Sequence, residues 1–292
     1  MKVSWPPQLI SDVARRRCVL FLGAGISAQA QSATGACPKM WGDFLTVAKD
    51  QITGNDSLKR QIKKLIKERD YLTACQLIKD GLGAPDFHNF VRAEFLDPQF
   101  QSAPIHDSII DLDSRIVATP NFDKIFENRI NHLQNNSVAV KNYYDDDVAE
   151  VIRGTGRVVV KVHGTIDTPP QMIFTRTEYA QARHDNRSFY AVLEALAITH
   201  TFLFLGCGLN DPDIRLVLED YAFRHAYGRP HYFVLPRKQV NRLVAPAVEK
   251  SLNIRILSYD PKNNHELLKT SIEELAAEVD VERVKLQGSG DW

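Results

Sequence analysis

The sequence predicts an α/β fold: a parallel sheet with helices on both faces, interrupted by a helical insert. Three observations predict it. Short apolar runs alternate with longer amphipathic ones along most of the chain. Several of these runs, among them Val19-Leu-Phe-Leu22, Val158-Val-Val-Lys-Val162, Phe202-Leu-Phe-Leu205 and Tyr232-Phe-Val-Leu235, are nearly unbroken, as strands covered on both faces are. Between about residues 31 and 112 the alternation stops and only helical patterns remain.

Strands are expected at Cys18–Leu22, Arg115–Ala118, Ser137–Val140, Val158–Val162, Thr201–Leu205, His231–Leu235 and Ile254–Leu257. Helices are expected between them at Phe122–His132, Asp146–Arg153, Ser188–Thr199, Pro212–His225 and Asn264–Val279. The interrupting stretch reads as helices at Ser57–Glu68, Asp70–Lys79 and Asp86–Phe95. About eighty residues are too many for a simple crossover, so they form an insert or small subdomain over the carboxyl edge of the sheet. The expected organisation is one domain over 1–285, with its insert at about 31–112, and a loose tail over 286–292.

Composition narrows the function classes. Of the 292 residues, 44% are hydrophobic and 25% charged, an ordinary balance for a globular protein. Lys+Arg and Asp+Glu both total 36, so the net charge is zero, which argues against broad capture of nucleic acid or anionic membrane. One local basic face exists: Arg60, Lys63, Lys64 and Lys67 share a side of an expected helix, either simply solvated or in contact with DNA. Cys18, Cys37, Cys75 and Cys207 are far apart with no C-x-x-C pair, so neither a disulfide framework nor a cysteine-held zinc is expected. The N-terminal stretch lacks the apolar core of a signal peptide, and no run approaches a membrane span. A cytoplasmic location is the expectation.

Four strand ends carry chemistry. The first strand runs into Gly23-Ala24-Gly25-Ile26-Ser27-Ala28, the G-x-G-x-x-[G/A] form of a dinucleotide-binding turn in a Rossmann-like fold. Glycines there let backbone approach a pyrophosphate, the next helix offers free N–H groups, and Ser27 adds a hydroxyl. The competing reading is a tight turn with no ligand. An acidic residue at the usual ribose spacing, Asp43, falls in what reads as a helix start, which weakens an ordinary Rossmann oxidoreductase. The second strand ends in Thr119-Pro-Asn121-Phe-Asp123, an amide and a carboxylate at the edge where α/β sheets bind ligands; helix capping explains them equally well.

The third is His163-Gly164, a histidine at a buried strand end, suited to general-base work near neutral pH. On its own such a histidine is more often structural. The fourth is Gly206-Cys-Gly208-Leu-Asn210-Asp211, where Gly206 and Gly208 could approach an adenosine moiety and Asn210 or Asp211 a ribose. The alternative is capping by Asp211.

In this order along the chain, the four motifs resemble those of the sirtuin family, from roughly Arg16 to Asp260. Gly23-Ala24-Gly25-Ile-Ser27 looks like the family's phosphate loop, Thr119-Pro-Asn121-Phe-Asp123 is similar to its Thr-Gln-Asn-x-Asp segment, and His163-Gly164 to its catalytic His-Gly. Gly206-Cys-Gly208 stands where the family carries Gly-Thr-Ser. The zinc-binding cysteines of sirtuin deacylases and the Pro-Asp-Phe-Arg segment are missing; Pro38-Lys-Met-Trp41 and Ile173-Phe-Thr175-Arg-Thr-Glu178-Tyr179 resemble instead divergent bacterial sirtuin-like proteins of anti-phage defence. The resemblance implies an NAD glycohydrolase that uses NAD as substrate and needs no zinc. His163 would be the general base, Asn121 would orient a water or the ribose, and Asp123 would contact the carboxamide. It also implies a homo-oligomer and pairing with a HerA-type hexameric ATPase. A protein deacylase, a non-catalytic NAD or ADP-ribose sensor, and a DNA-processing subunit remain as alternatives.

Overall fold

The fold was analysed in a computed structural model, which describes residues 1–209, 212–225 and 228–290. Seven strands form one sheet: β1 (Cys18–Leu22), β2 (Ile116–Thr119), β3 (Ala139–Asn142), β4 (Val158–Lys161), β5 (Thr201–Leu205), β6 (His231–Pro236) and β7 (Ile254–Tyr259). Their order is β3-β4-β2-β1-β5-β6-β7, and every adjacent pair is parallel. All seven expected strands are present, each within two residues of the limits read from the sequence at its start and end.

Period-two alternation divides each central strand between two cores. Leu20 and Leu22 of β1 pack with Val13, Ile109, Phe126, Ile130, Ile272 and Leu275, contributed by the helices on one face. Val19 and Phe21 pack with Ile152, Leu193, Leu218, Phe202 and Phe204 on the other. Every residue of β1, β2, β4 and β5 is buried, which is why these runs carry almost no polar residue. The edge strands β3 and β7 are only partly covered, and their sequences are correspondingly mixed.

The interrupting stretch holds the helices Trp41–Gln51, Asp56–Lys67, Tyr71–Leu82 and Ala84–Phe95. They build a third core from Phe44, Leu45, Ile62, Cys75, Ile78, Phe87 and Val91. This core is closed by residues from far along the chain: Ile166, Met172 and Phe174, in the segment after β4. The Phe174 ring stands 5.1 Å from Phe87, 5.9 Å from Trp41 and 4.3 Å from Phe122. A single aromatic side chain thus ties the insert to the strand ends of the sheet.

The C-terminal helical segment spans Lys262–Ser289, kinked near its start where Asn263, Asn264 and His265 are left-handed, and passes the boundary at 286 read from the sequence. Leu286 is buried in the same core as Leu275 and Val279, so helical spacing carries the apolar stripe on beyond the expected end. No helix among the described residues is long and apolar enough to cross a membrane.

Candidate functional site

The strand order places β1 beside β5 at the middle of the sheet, with later connections running outward in opposite directions from this pair. A crevice opens at such a switch point, outside the carboxyl ends of the strands. Here it is a cleft of about 420 Å³ between the sheet edge and the helical insert. That space lies within the roughly 300–1,000 Å³ typical of small-molecule sites.

Gly23, Ala24, Ser27, Asn121, Asp123, His163, Gly206 and Gly208 all line this cleft, although 185 positions separate the first from the last. Thr119 and Gly25 do not; they lie behind the lining and shape it. Thr119, 2% exposed, donates its hydroxyl to the Leu22 carbonyl at 2.6 Å and accepts the Asn121 N–H at 3.1 Å. It therefore fixes the ends of β1 and β2 together and sets the backbone of Asn121. Asn210 and Asp211 lie outside the described residues.

The glycine turn is built differently from the expectation. A Cβ on Gly23 would stand 2.5 Å from the Gly206 carbonyl oxygen and 2.8 Å from the Cys207 Sγ; one on Gly25 would stand 2.9 Å from the same oxygen. Gly206 in turn has φ +66°, and its Cβ would meet the Ile26 nitrogen at 2.6 Å. Gly23, Gly25 and Gly206 are glycines because the two loops press on each other. The Gly23 N–H donates to Leu205 and the Gly25 N–H to Gly206, at 2.9 and 3.0 Å, so neither faces an anion. The following helix, Ala24–Ser27, has a single turn and little dipole to offer.

Asn121 and Ser27 come together across the floor: the Asn121 side-chain amide donates to the Ser27 hydroxyl at 2.9 Å. Asp123 is 5% exposed and its carboxylate accepts the Ile125 N–H at 3.1 Å, a local turn bond just before the helix Ile125–Leu133, while the side chain still touches the cleft. The capping reading does not hold: the N-cap of this helix is Lys124, with no side-chain bond from Asn121 or Asp123. Behind the loop, the fully buried Lys161 donates to the Asp123 carbonyl and to Glu127 Oε1, the latter at 2.8 Å. Burial pushes the Glu127 carboxyl up, against the pull of the Lys161 ammonium.

His163 is 3% exposed and forms part of the cleft wall. Its ring meets Tyr179 edge to face at 5.0 Å, and Nδ1 lies 3.5 Å from the Tyr179 hydroxyl, at the limit of a hydrogen bond. Gly164 follows with φ +85°, where a Cβ would strike the Gln171 carbonyl at 2.7 Å.

Sequence reasoning missed the other wall. Trp41, Tyr71, Phe122, Phe174 and Tyr179 give the cleft an aromatic side, and Lys39, Arg69 and Arg176 stand among them. One signal could have found Tyr179: Thr175-x-x-Glu178 is a capping box. Thr175 Oγ1 accepts the Glu178 N–H at 3.3 Å and Glu178 accepts the Thr175 N–H at 3.0 Å, fixing the helix that presents Tyr179. Among the described residues no three His, Cys, Asp or Glu side chains are grouped to hold a metal ion.

The sequence model of the SIR2-like domain family matches residues 115–257, which hold the Asn121, His163 and Gly206 motifs. Over 172 residues the chain is 27% identical to the NAD(+) hydrolase ThsA of Enterococcus faecium, covering 58% of this chain and 36% of that protein. It is 26% identical over 225 residues to the NAD(+) hydrolase ThsA of Cytobacillus dafuensis, covering 76% and 41% respectively. A third relative, the NAD(+) hydrolase ThsA of Acinetobacter baumannii, is 26% identical over 142 residues, 49% of this chain and 29% of that one. The chain thus spans less than half the length of each of these relatives. A solved Sir2 enzyme structure aligns over 96% of this chain and 97% of its own, at 13% identity and a TM-score of 0.40.

Proposed function

We propose that this chain is an NAD glycohydrolase, cleaving the nicotinamide–ribose bond to give nicotinamide and ADP-ribose. The observation that carries the reading is convergence. An amide (Asn121), a histidine (His163) and two interlocked glycine turns meet in one cleft at the switch point of a parallel sheet. Support from outside the chain comes from relatives that are NAD(+) hydrolases and from the match to the SIR2-like domain.

The chemistry asks little of the protein as an acid. Nicotinamide is already a cationic pyridinium in NAD and leaves neutral. What accelerates cleavage is holding the ribose and stabilising the cationic character that develops at its anomeric carbon. In this reading His163 is the general base, taking a proton from a ribose hydroxyl or from the attacking water. Asn121, its amide held by Ser27, orients that water or the ribose. Asp123 faces the carboxamide, and the backbone at Gly206 and Gly208 lies along the adenosine half. Thr119 and Gly25 act by shaping this floor. The aromatic wall provides flat surfaces for the two ring systems of a dinucleotide. No zinc is required by any of these roles.

The same reading extends to a cytoplasmic NAD-depleting role in anti-phage defence, with the chain assembled as a homo-oligomer and paired with a HerA-type ATPase. That extension rests on the resemblance and on the names of the relatives. The decisive experiment is incubation of the purified chain with NAD, alone and with its genomic neighbour, followed by identification of products. Nicotinamide and ADP-ribose in equal amounts are expected. Binding without turnover in both conditions would replace the enzyme by a sensor, and cleavage that requires an acylated peptide would replace it by a deacylase.

A further inference from the structure

Arg69 sits where the local structure would favour another residue. It follows the helix Asp56–Lys67 in the left-handed region, at φ 63°. The Asp70 N–H donates to the Leu65 carbonyl at 3.0 Å and the Arg69 N–H to that of Ile66 at 3.1 Å, the paired bonds of a Schellman ending. Glycine is the residue that this position favours, because an L side chain is strained there. The chain nevertheless places its longest cation at this point, on the wall of the cleft.

The other cations nearby are already engaged. Lys39 pairs with Glu94, and Arg176 pairs with Asp70 at 2.9 Å. A second left-handed arginine, Arg16 (φ 54°), is held by Asp113. No carboxylate is paired with Arg69 among the described residues, and its side chain is exposed. Across the cleft the Gly23 and Gly25 N–H groups are bonded to β5 and its loop, and the single-turn helix adds little positive potential.

We propose that Arg69 is the anion-binding arm of the cleft, contacting the pyrophosphate of the dinucleotide from the helical insert. This rests on the NAD-hydrolase reading for its ligand. A guanidinium presents two parallel donors to phosphate oxygens, and its planar fork loses less freedom per hydrogen bond formed than an ammonium does.

The test compares Arg69→Gly and Arg69→Lys with wild type in ADP-ribose binding, NAD cleavage and cleavage of nicotinamide riboside, which has no phosphate. Arg69→Gly should weaken ADP-ribose binding and raise KM for NAD by about 10-fold or more while kcat stays within about 2-fold. It should flatten the salt dependence of binding, leave the riboside unaffected, and raise Tm by about 2 °C as left-handed strain is relieved. Arg69→Lys should fall between. Wild-type KM and affinity in Arg69→Gly would overturn the inference, as would equal weakening toward NAD and the riboside. ADP-ribose binding that depends on Arg69, without any NAD cleavage by wild type, would support the arm and reject the hydrolase. Binding of neither compound by wild type would reject both.

Discussion

Gly25 and Gly206 are 181 positions apart in sequence, yet the N–H of one donates to the carbonyl of the other at 3.0 Å. This bond joins the turns after the two central strands, and neither residue has room for a Cβ. Gly206→Ala is expected to lose about 1–3 kcal/mol from its left-handed backbone, and more from the collision with the Ile26 nitrogen. Gly208→Ala, with nothing within 4 Å of its Cβ, should stay within about 0.5 kcal/mol of wild type. Denaturant midpoints compare them, and equal stability of the two variants would disprove the interlock.

His163→Ala is expected to lower NAD cleavage by about 10²–10⁴ while ADP-ribose still binds, since no phosphate contact is assigned to it. Asn121→Ala should be at least comparably damaging. His163 is buried against Tyr179, so its truncation should also lower Tm, whereas the half-buried Asn121 should cost less. Nicotinamide release, measured with a melting curve for each variant, separates chemistry from folding. Wild-type turnover in His163→Ala would remove the histidine from the mechanism.

Lys161→Met strands Glu127 in the core, where the pair is joined at 2.8 Å with 1% and 5% side-chain exposure. Removing one partner of such a buried pair costs about 3–5 kcal/mol. The double variant Lys161→Met/Glu127→Leu should recover most of that in urea unfolding. If the single and double variants are equally unstable, packing rather than charge explains the loss.

His231 gives a pH prediction. Its Nδ1 accepts the Phe202 N–H at 3.1 Å, and burial lowers its pKa from 6.5 to about 4. The unfolded chain therefore takes up the proton first as pH falls. The stability contribution is complete above pH 6.5 and declines toward pH 4, by on the order of 2 kcal/mol between pH 7 and pH 5. Unfolding curves at both values should show the decline, and His231→Leu should flatten it. An unchanged slope in that variant would assign the effect to other groups.

Elemental analysis of the purified chain should show no stoichiometric zinc. Cys18, Cys75 and Cys207 are buried at separate places in the fold, and Cys37 is exposed. One zinc per chain would contradict this and restore the deacylase alternative.

What the sequence by itself determined is whatever a local pattern can encode. Short apolar runs, nearly unbroken in the central strands and mixed at the edges, gave the positions of all seven strands, and the loss of alternation marked the helical insert. Glycine after β1 and β5, Asn121 after β2 and His163 after β4 marked the edge where a ligand would sit. Tertiary structure decided which neighbour each of these residues meets. Gly23 is glycine because the loop of residue 206 presses on it, and Thr119 faces Leu22 rather than the cleft. Arg69 comes to the cleft on an insert whose core Ile166, Met172 and Phe174 close, and Tyr179 by packing against His163. The physical reason is range. Periodicity and turn chemistry act over a few residues, whereas these contacts join positions tens to nearly two hundred apart, and only the packed core holds them in place.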